Sequence, residues 1–256
     1  KPLCLDPTFG SAGIDAIVVA NSDNATFASR GIAERPDGRL VVVGKAGGDG
    51  LVVGLTESGA RDPGFGSAGV VTFDAGGSDD EAMAVAVVAD GELAIGGSTD
   101  TNGAAIVARV GSAGIDTSWG GLGFYRVSTA GGAGAFNGVL VDGAGRVAAG
   151  GQSVNPPRGF DLTAAWFTAA GALDASFVNG GEQLVDLHGA DEFGLLAATD
   201  AAGNYYLVGQ TYVPPFTGAI VRLASNGALD STFAGAGSVA YSAGTGDTRF
   251  YDLALD

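Results

Sequence analysis

The sequence predicts an all-β fold, a β-propeller built from four-stranded antiparallel blades, and two observations carry that prediction. The first is a phrase that returns five times: Leu5-Asp6-Pro7-Thr8-Phe9, Arg61-Asp62-Pro63-Gly64-Phe65, Ile115-Asp116-Thr117-Ser118-Trp119, Leu173-Asp174-Ala175-Ser176-Phe177 and Leu229-Asp230-Ser231-Thr232-Phe233. Its aspartates stand 56, 54, 58 and 56 residues apart, and a glycine follows each seven positions later: Gly13, Gly69, Gly123, Gly181 and Gly237. So steady a period means one structural unit copied head to tail, each copy needing its neighbours to bury its apolar face. The second is the content of each period, four short glycine-bounded apolar stretches rich in β-branched residues, with no helical stripe and no proline inside them. Blades of this kind ranged about an axis make a propeller.

In the first full copy the strands are expected at residues 29–34, 39–44, 51–56 and 70–74. Pro36-Asp37-Gly38 turns the first strand into the second, and Asp90-Gly91, Gly143-Ala144-Gly145 and Ala201-Ala202-Gly203 do the same later, glycine supplying the positive φ of a tight hairpin. The second strand reads as ending at Gly44, Gly97, Gly151 and Gly209. The first strands carry Gly31, Ala33, Ala84, Ala86, Gly138 and Gly194, the small side chains that crowding at an axis requires. In the repeated phrase the aromatic is expected to wedge between blades, worth about 1.5–3 kcal/mol of burial, and the aspartate to accept backbone N–H groups of a turn.

Counted this way, residues 1–256 form a single propeller domain with repeats starting near positions 5, 61, 115, 173 and 229, and four complete blades span residues 29–242. A lone outer strand at 14–20 and a lone inner strand at 250–255 then read as two strands of an unfinished fifth blade. The expectation is a ring that is incomplete, cleaved, or completed by missing residues or a partner chain.

The pattern Leu-Asp-x-x-Phe-Gly-x-x-Gly, followed by a strand and by Pro36-Asp37-Gly38-Arg39-Leu40-Val41-Val42-Val43-Gly44, resembles the bacterial delta-60 repeat over essentially the whole chain. The third copy departs from it, with Trp119 in place of Phe. The resemblance implies a β-propeller from a bacterial protein that is secreted, periplasmic or at the cell surface, and it brings no catalytic residues.

Charge and motifs exclude several functions. A net charge of -16 repels a phosphate backbone, so nucleic acid is not an expected partner. No apolar run reaches the length of a transmembrane helix. Cys4 is the single cysteine and forms no internal disulfide, and no glycine cluster continues into the Lys-Ser or Lys-Thr of a phosphate loop.

Two surfaces remain as candidates, on the face shared by the loops that enter each blade and the loops between its middle strands. Asp23, Asp79, Asp80, Glu81, Asp191, Glu192 and Asp247 recur there as an acidic rim, and hard oxygen donors of this kind make Ca²⁺ the candidate ion. The loops at 151–160 and 209–217 add Asn155, Pro156, Pro157, Arg158, Tyr212, Pro214, Pro215 and Phe216, stiff segments with aromatic contact area suited to a protein partner. His188, the single histidine, stands beside Asp191 and Glu192 without the serine or cysteine of a triad. The function expected is a non-catalytic binding or assembly module that meets a protein partner, or self-assembles, through the acidic loop face or the unfinished blade. The alternative is a polysaccharide- or ester-directed hydrolase or lyase using channel carboxylates with a divalent cation.

Overall fold

The computed structural model describes residues 5–14, 29–77, 79–99, 103–127, 134–187, 189, 191–212 and 215–255. Four antiparallel sheets follow one another along the chain. The first blade holds β1 (Ser29–Glu34), β2 (Leu40–Ala46), β3 (Asp49–Leu55) and β4 (Val70–Phe73). The second holds β5 (Asp80–Val87), β6 (Leu93–Thr99) and β7 (Ala105–Gly111), with the short β8 (Gly114–Ile115) and then β9 (Phe124–Val127) both paired to β7. The third holds β10 (Gly134–Val141), β11 (Val147–Asn155), β12 (Gly159–Phe167) and β13 (Glu182–Val185). The fourth holds β14 (Glu192–Thr199), β15 (Tyr205–Thr211), β16 (Thr217–Leu223) and β17 (Ser238–Tyr241).

The first strand of each blade is innermost, so that β1, β5, β10 and β14 stand side by side, and the sheets face one another across three cores. Alternation along the central strands feeds two cores at once. Leu93 and Ile95 of β6 pack with Val41, Val43 and Val52 of the first blade, while Ala94 between them joins the core that holds Phe136 and Ala149 of the third. In β12, Leu162, Ala164 and Trp166 join Leu196, Leu207 and Val221 of the fourth blade. Strands buried on both faces read as continuous apolar runs, and successive sheets stacked this way about their inner strands are the blades of a β-propeller.

The strands expected in the first copy match those observed to within two residues at each end. The second strands, by contrast, do not end at their glycines: β2 runs on to Ala46, β6 to Thr99, β11 to Asn155 and β15 to Thr211. Those glycines answer a close approach instead. A Cβ on Gly97, Gly151 or Gly209 would overlap the carbonyl oxygen of Glu81, Ala135 or Phe193 on the adjoining inner strand. Crowding at the axis is equally tight, because a Cβ on Gly138 would overlap the carbonyl of Leu196 in the next blade.

The repeated phrase forms the seam between blades. In all five copies the aspartate Oδ1 accepts the N–H two residues on, at 2.9–3.0 Å. The residue after the aromatic then donates its own N–H across to a turn of the following blade: Gly10 to Ser58, Gly66 to Ser112, Gly120 to Ala170 and Val178 to Asn226, at 2.7–2.9 Å. Phe65, Trp119 and Phe177 are buried at these seams, whereas Phe9 and Phe233 are partly exposed.

The expected inner strand at 250–255 does not form. Thr248 donates its N–H to the carbonyl of Phe216 at 2.7 Å, Phe250 donates to Gly209 at 3.4 Å, and the Phe250 ring lies against Gly218. Among the described residues of 250–255 only Phe250 thus reaches the fourth blade through its backbone, and no ladder forms. Of the expected outer strand at 14–20, only Ile14 falls within the described residues.

Candidate functional site

The middle loops of the third and fourth blades are shorter than expected, because β11 and β12 extend to Asn155 and from Gly159 and leave only residues 156–158 as the turn. The ladder continues past Gly151 because Gln152, Ser153, Val154 and Asn155 each find a register partner on β12. In the fourth blade β15 ends at Thr211 and β16 begins at Thr217.

Lengthening the strands brings four aromatic rings into a row across two blades. Phe160 lies 5.2 Å from Phe193, Phe193 lies 5.6 Å from Tyr212, and Tyr212 lies 4.1 Å from Phe216. The Arg249 guanidinium caps the row, 5.1 Å above the Phe216 ring. Each ring pair contributes about 0.5–1.5 kcal/mol beyond its buried area, so the rings hold one another in place. Tyr212 is nevertheless 46% exposed.

Two cavities flank Phe193. One, of about 340 Å³, is lined by Asp79, Glu81, Ser98, Gln152 and Phe160 among others. The other, of about 380 Å³, lies at the axis and takes in Met83, Asn137, Leu195, Arg249 and Tyr251. Met83 and Asn137 reach it from β-bulges, where the ladder skips a residue between Ala82 and Ala84 and between Phe136 and Gly138. A bulge bends the strand and re-aims the extra side chain, here into the axial cavity. Asn137 Nδ2 donates to Gln152 Oε1 at 2.6 Å and to the Gly194 carbonyl at 2.9 Å, tying the two blades below it.

Beside the aromatic row lies a cluster of carboxylates. Ligand atoms of Asp161 on β12, Asp186 after β13 and Glu192 at the start of β14 all fall within 4.8 Å of one another. Asp161 and Glu192 are 0% exposed, and Asp161 Oδ1 and both carboxylate oxygens of Glu192 have no hydrogen-bond partner. Asn155 Nδ2 donates to the other Asp161 oxygen at 2.5 Å, and Arg158 pairs with Asp186 from the solvent side. Burial pushes the Glu192 carboxyl up to about 7, with the negative charges of Asp161, Asp186 and Asp191 adding to the effect. The Leu187 amide approaches and favours the charged form, without reaching hydrogen-bond geometry at either oxygen. Burial likewise raises Asp161.

The seven carboxylates expected to form one rim are dispersed. Asp79 pairs with Lys45, Asp80 is buried and accepts the Ala75 N–H at 2.9 Å, and Glu81 lines the smaller cavity with Asp79. Asp191 accepts the Phe160 N–H at 2.8 Å, and Asp247 accepts the Phe216 N–H at 3.1 Å while standing 3.7 Å from Arg249. Among the described residues only Glu192 of the seven belongs to a group of three carboxylates close enough to share an ion. Asp23, His188, Cys4 and Pro214 lie outside the described residues. Of the expected partner surface, Pro156, Pro157, Arg158, Tyr212, Pro215 and Phe216 sit at the loop face, whereas the Asn155 amide turns inward to Asp161. Sequence pattern does not single out Asp161 and Asp186. A carboxylate inside the apolar stretch Gly159–Phe167 is the one local sign of them.

No family model and no curated protein matches the chain. Among solved structures it is similar to a selenomethionine-substituted virginiamycin B lyase from Staphylococcus aureus, at 10% identity and a TM-score of 0.38, over 81% of this chain and 70% of that one. It is also similar to Kuenenia stuttgartiensis hydrazine synthase, at 13% identity and a TM-score of 0.42, over 82% and 67% of the two chains. Likeness at this level says nothing of chemistry, and the site stands on its own geometry.

Proposed function

We propose that the protein is a non-catalytic binding module that meets a protein partner through the loop face of its third and fourth blades. The observation that carries this reading is the row Phe160–Phe193–Tyr212–Phe216 capped by Arg249. Rings already fixed by one another lose little entropy on binding, and aromatic and arginine side chains dominate the energetics of protein interfaces. The resemblance of the repeat to the bacterial delta-60 family supports placing this activity in a secreted, periplasmic or cell-surface setting. Among the described residues no helix is long and apolar enough to cross a membrane.

The test compares proteins captured from the surface and secreted fractions of the source cells by the wild type and by a Tyr212→Ser, Phe216→Ser double variant. A partner held by the wild type and lost by the variant, with the melting temperature kept within a few degrees, supports the reading. Identical captures by both proteins overturn it. The hydrolase or lyase alternative has one foothold, since Asp79 and Glu81 share a cavity with the Phe160 and Phe193 rings. Turnover in a broad glycan and ester screen, lost on Glu81→Gln, would replace the binding reading with that one.

A further inference from the structure

We propose that Asp161, Asp186 and Glu192 form a divalent-cation site, fitted to Ca²⁺, that staples the third blade to the fourth. The cluster is more than a patch of surface acid. Glu192 is fully buried, both of its oxygens lack a partner, and one of them lies within 4.8 Å of a carboxylate oxygen of Asp161 and one of Asp186. A buried carboxylate without a hydrogen bond is costly, and native folds meet that cost with a proton, a cation or a metal ion. Here three carboxylates converge, and the neighbouring cation, Arg158, reaches only the outermost of them.

Distances favour an ion the size of Ca²⁺. Oxygens bound to one Ca²⁺ at about 2.3–2.6 Å are at most about 5 Å apart, and the three ligand atoms already lie within 4.8 Å of one another. Each of the three carboxylates offers one oxygen to the shared volume, and water would complete the roughly six to eight that the ion takes. Ser153 stands directly opposite Asp161 in the β11–β12 register, 1% exposed and with an unpartnered hydroxyl, which adds a further buried oxygen on that side of the sheet. The ligands come from β12, from the end of the third blade and from the first strand of the fourth, so an ion here opposes separation of the two sheets. This site does not depend on the binding reading, because the aromatic row could engage a partner with or without the ion.

The test uses the full chain after chelator treatment at pH 7.5, titrated with CaCl₂ by calorimetry and followed by thermal unfolding. One Ca²⁺ per chain and a rise in melting temperature of about 5–10 °C at millimolar Ca²⁺ are expected for a site of about 10 μM affinity. Glu192→Gln and Asp161→Asn should weaken Ca²⁺ at least tenfold and abolish the rise. Arg158→Ala, which removes the cation competing for Asp186 and leaves the buried ligands intact, should tighten Ca²⁺ several-fold. No heat and no thermal shift with Ca²⁺, Mg²⁺ or Mn²⁺ overturns the proposal in favour of a cluster neutralised by protons, as does a full Ca²⁺ response retained by folded Glu192→Gln.

Discussion

Trp166 and Phe177 lie face to face, with ring centroids 4.9 Å apart and planes 7° from parallel. Trp166 belongs to β12, Phe177 to the repeated phrase that follows it, and Tyr205 of the next blade sets its edge against both rings, at 5.5 and 6.1 Å. Three rings from two blades thus close one seam. Phe177→Ala should lower the unfolding free energy by about 3–5 kcal/mol, the usual cost of emptying an aromatic site in a core. Phe233 holds the same place in the fifth copy but is partly exposed, against Tyr206 at 6.1 Å and beneath Arg222 at 4.9 Å. Phe233→Ala should cost about 1 kcal/mol. Urea titrations of both variants decide the matter, and equal losses would contradict the seam account.

Gly151→Ala should destabilise the fold by about 1–3 kcal/mol or more, because the new methyl overlaps the Ala135 carbonyl and one strand of the third blade must shift. Gly143, in the exposed hairpin of the same blade, has nothing within 4 Å of a Cβ. Gly143→Ala should be neutral or stabilising by up to about 1 kcal/mol through the unfolded chain. If the two substitutions behave alike in thermal unfolding, the close approach at Gly151 is not what constrains it.

Acid should weaken the seams. Hydrogen bonds from the side chain and backbone of Thr8, Ser176 and Thr232 hold Asp6, Asp174 and Asp230 below the ordinary aspartate value of 3.8. A carboxylate whose folded pKa is depressed stabilises the fold fully above its unfolded value, and that contribution is lost as pH falls through the folded one. The melting temperature should therefore drop below about pH 4, with a shallower drop in Asp174→Asn.

Asp80 acts in the opposite sense, since burial raises it above 3.8. The folded state holds that proton more tightly, so stability declines as pH rises from 3.8 through the folded value, and Asp80→Asn should remove this part of the decline. A melting curve series from pH 3 to 7 in wild type and variant reads the difference directly.

At the loop face, Tyr212→Ser should cost less than about 1 kcal/mol, because nearly half of the side chain already meets water. Phe193→Ala should cost more, since its ring contacts both Phe160 and Tyr212 and separates the two cavities. Loss of partner capture in Tyr212→Ser without loss of stability would assign Tyr212 to recognition; a large stability loss would assign it to the scaffold.

Much of the blade was legible in the chain itself, because each feature rests on neighbours close in sequence. The phrase around Asp62 makes its turn within a few residues, the hairpin at Gly38 closes locally, and alternation along β6 declares which side chains go to which core. The site was not legible in the same way. Asp161 and Glu192 are 31 residues apart, and their approach depends on how the third sheet packs against the fourth. The aromatic row was half visible: Tyr212 and Phe216 stood out beside their prolines, while Phe160, read as the end of a loop, and Phe193 carried no signal of their own.

Periodicity by itself determined the blades, their seams and the crowding of small residues at the axis, since a repeated pattern of turns and apolar strands can bury its faces only against copies of itself. Tertiary structure alone decided which acids meet. The acids near the loop face differ from copy to copy, and their distances follow from strand extensions, bulges and crossing segments that no single repeat contains. Packing gathered Asp161, Asp186 and Glu192 into one cluster with two of its three acids fully buried, and gave Asp79 and Asp247 partners of their own.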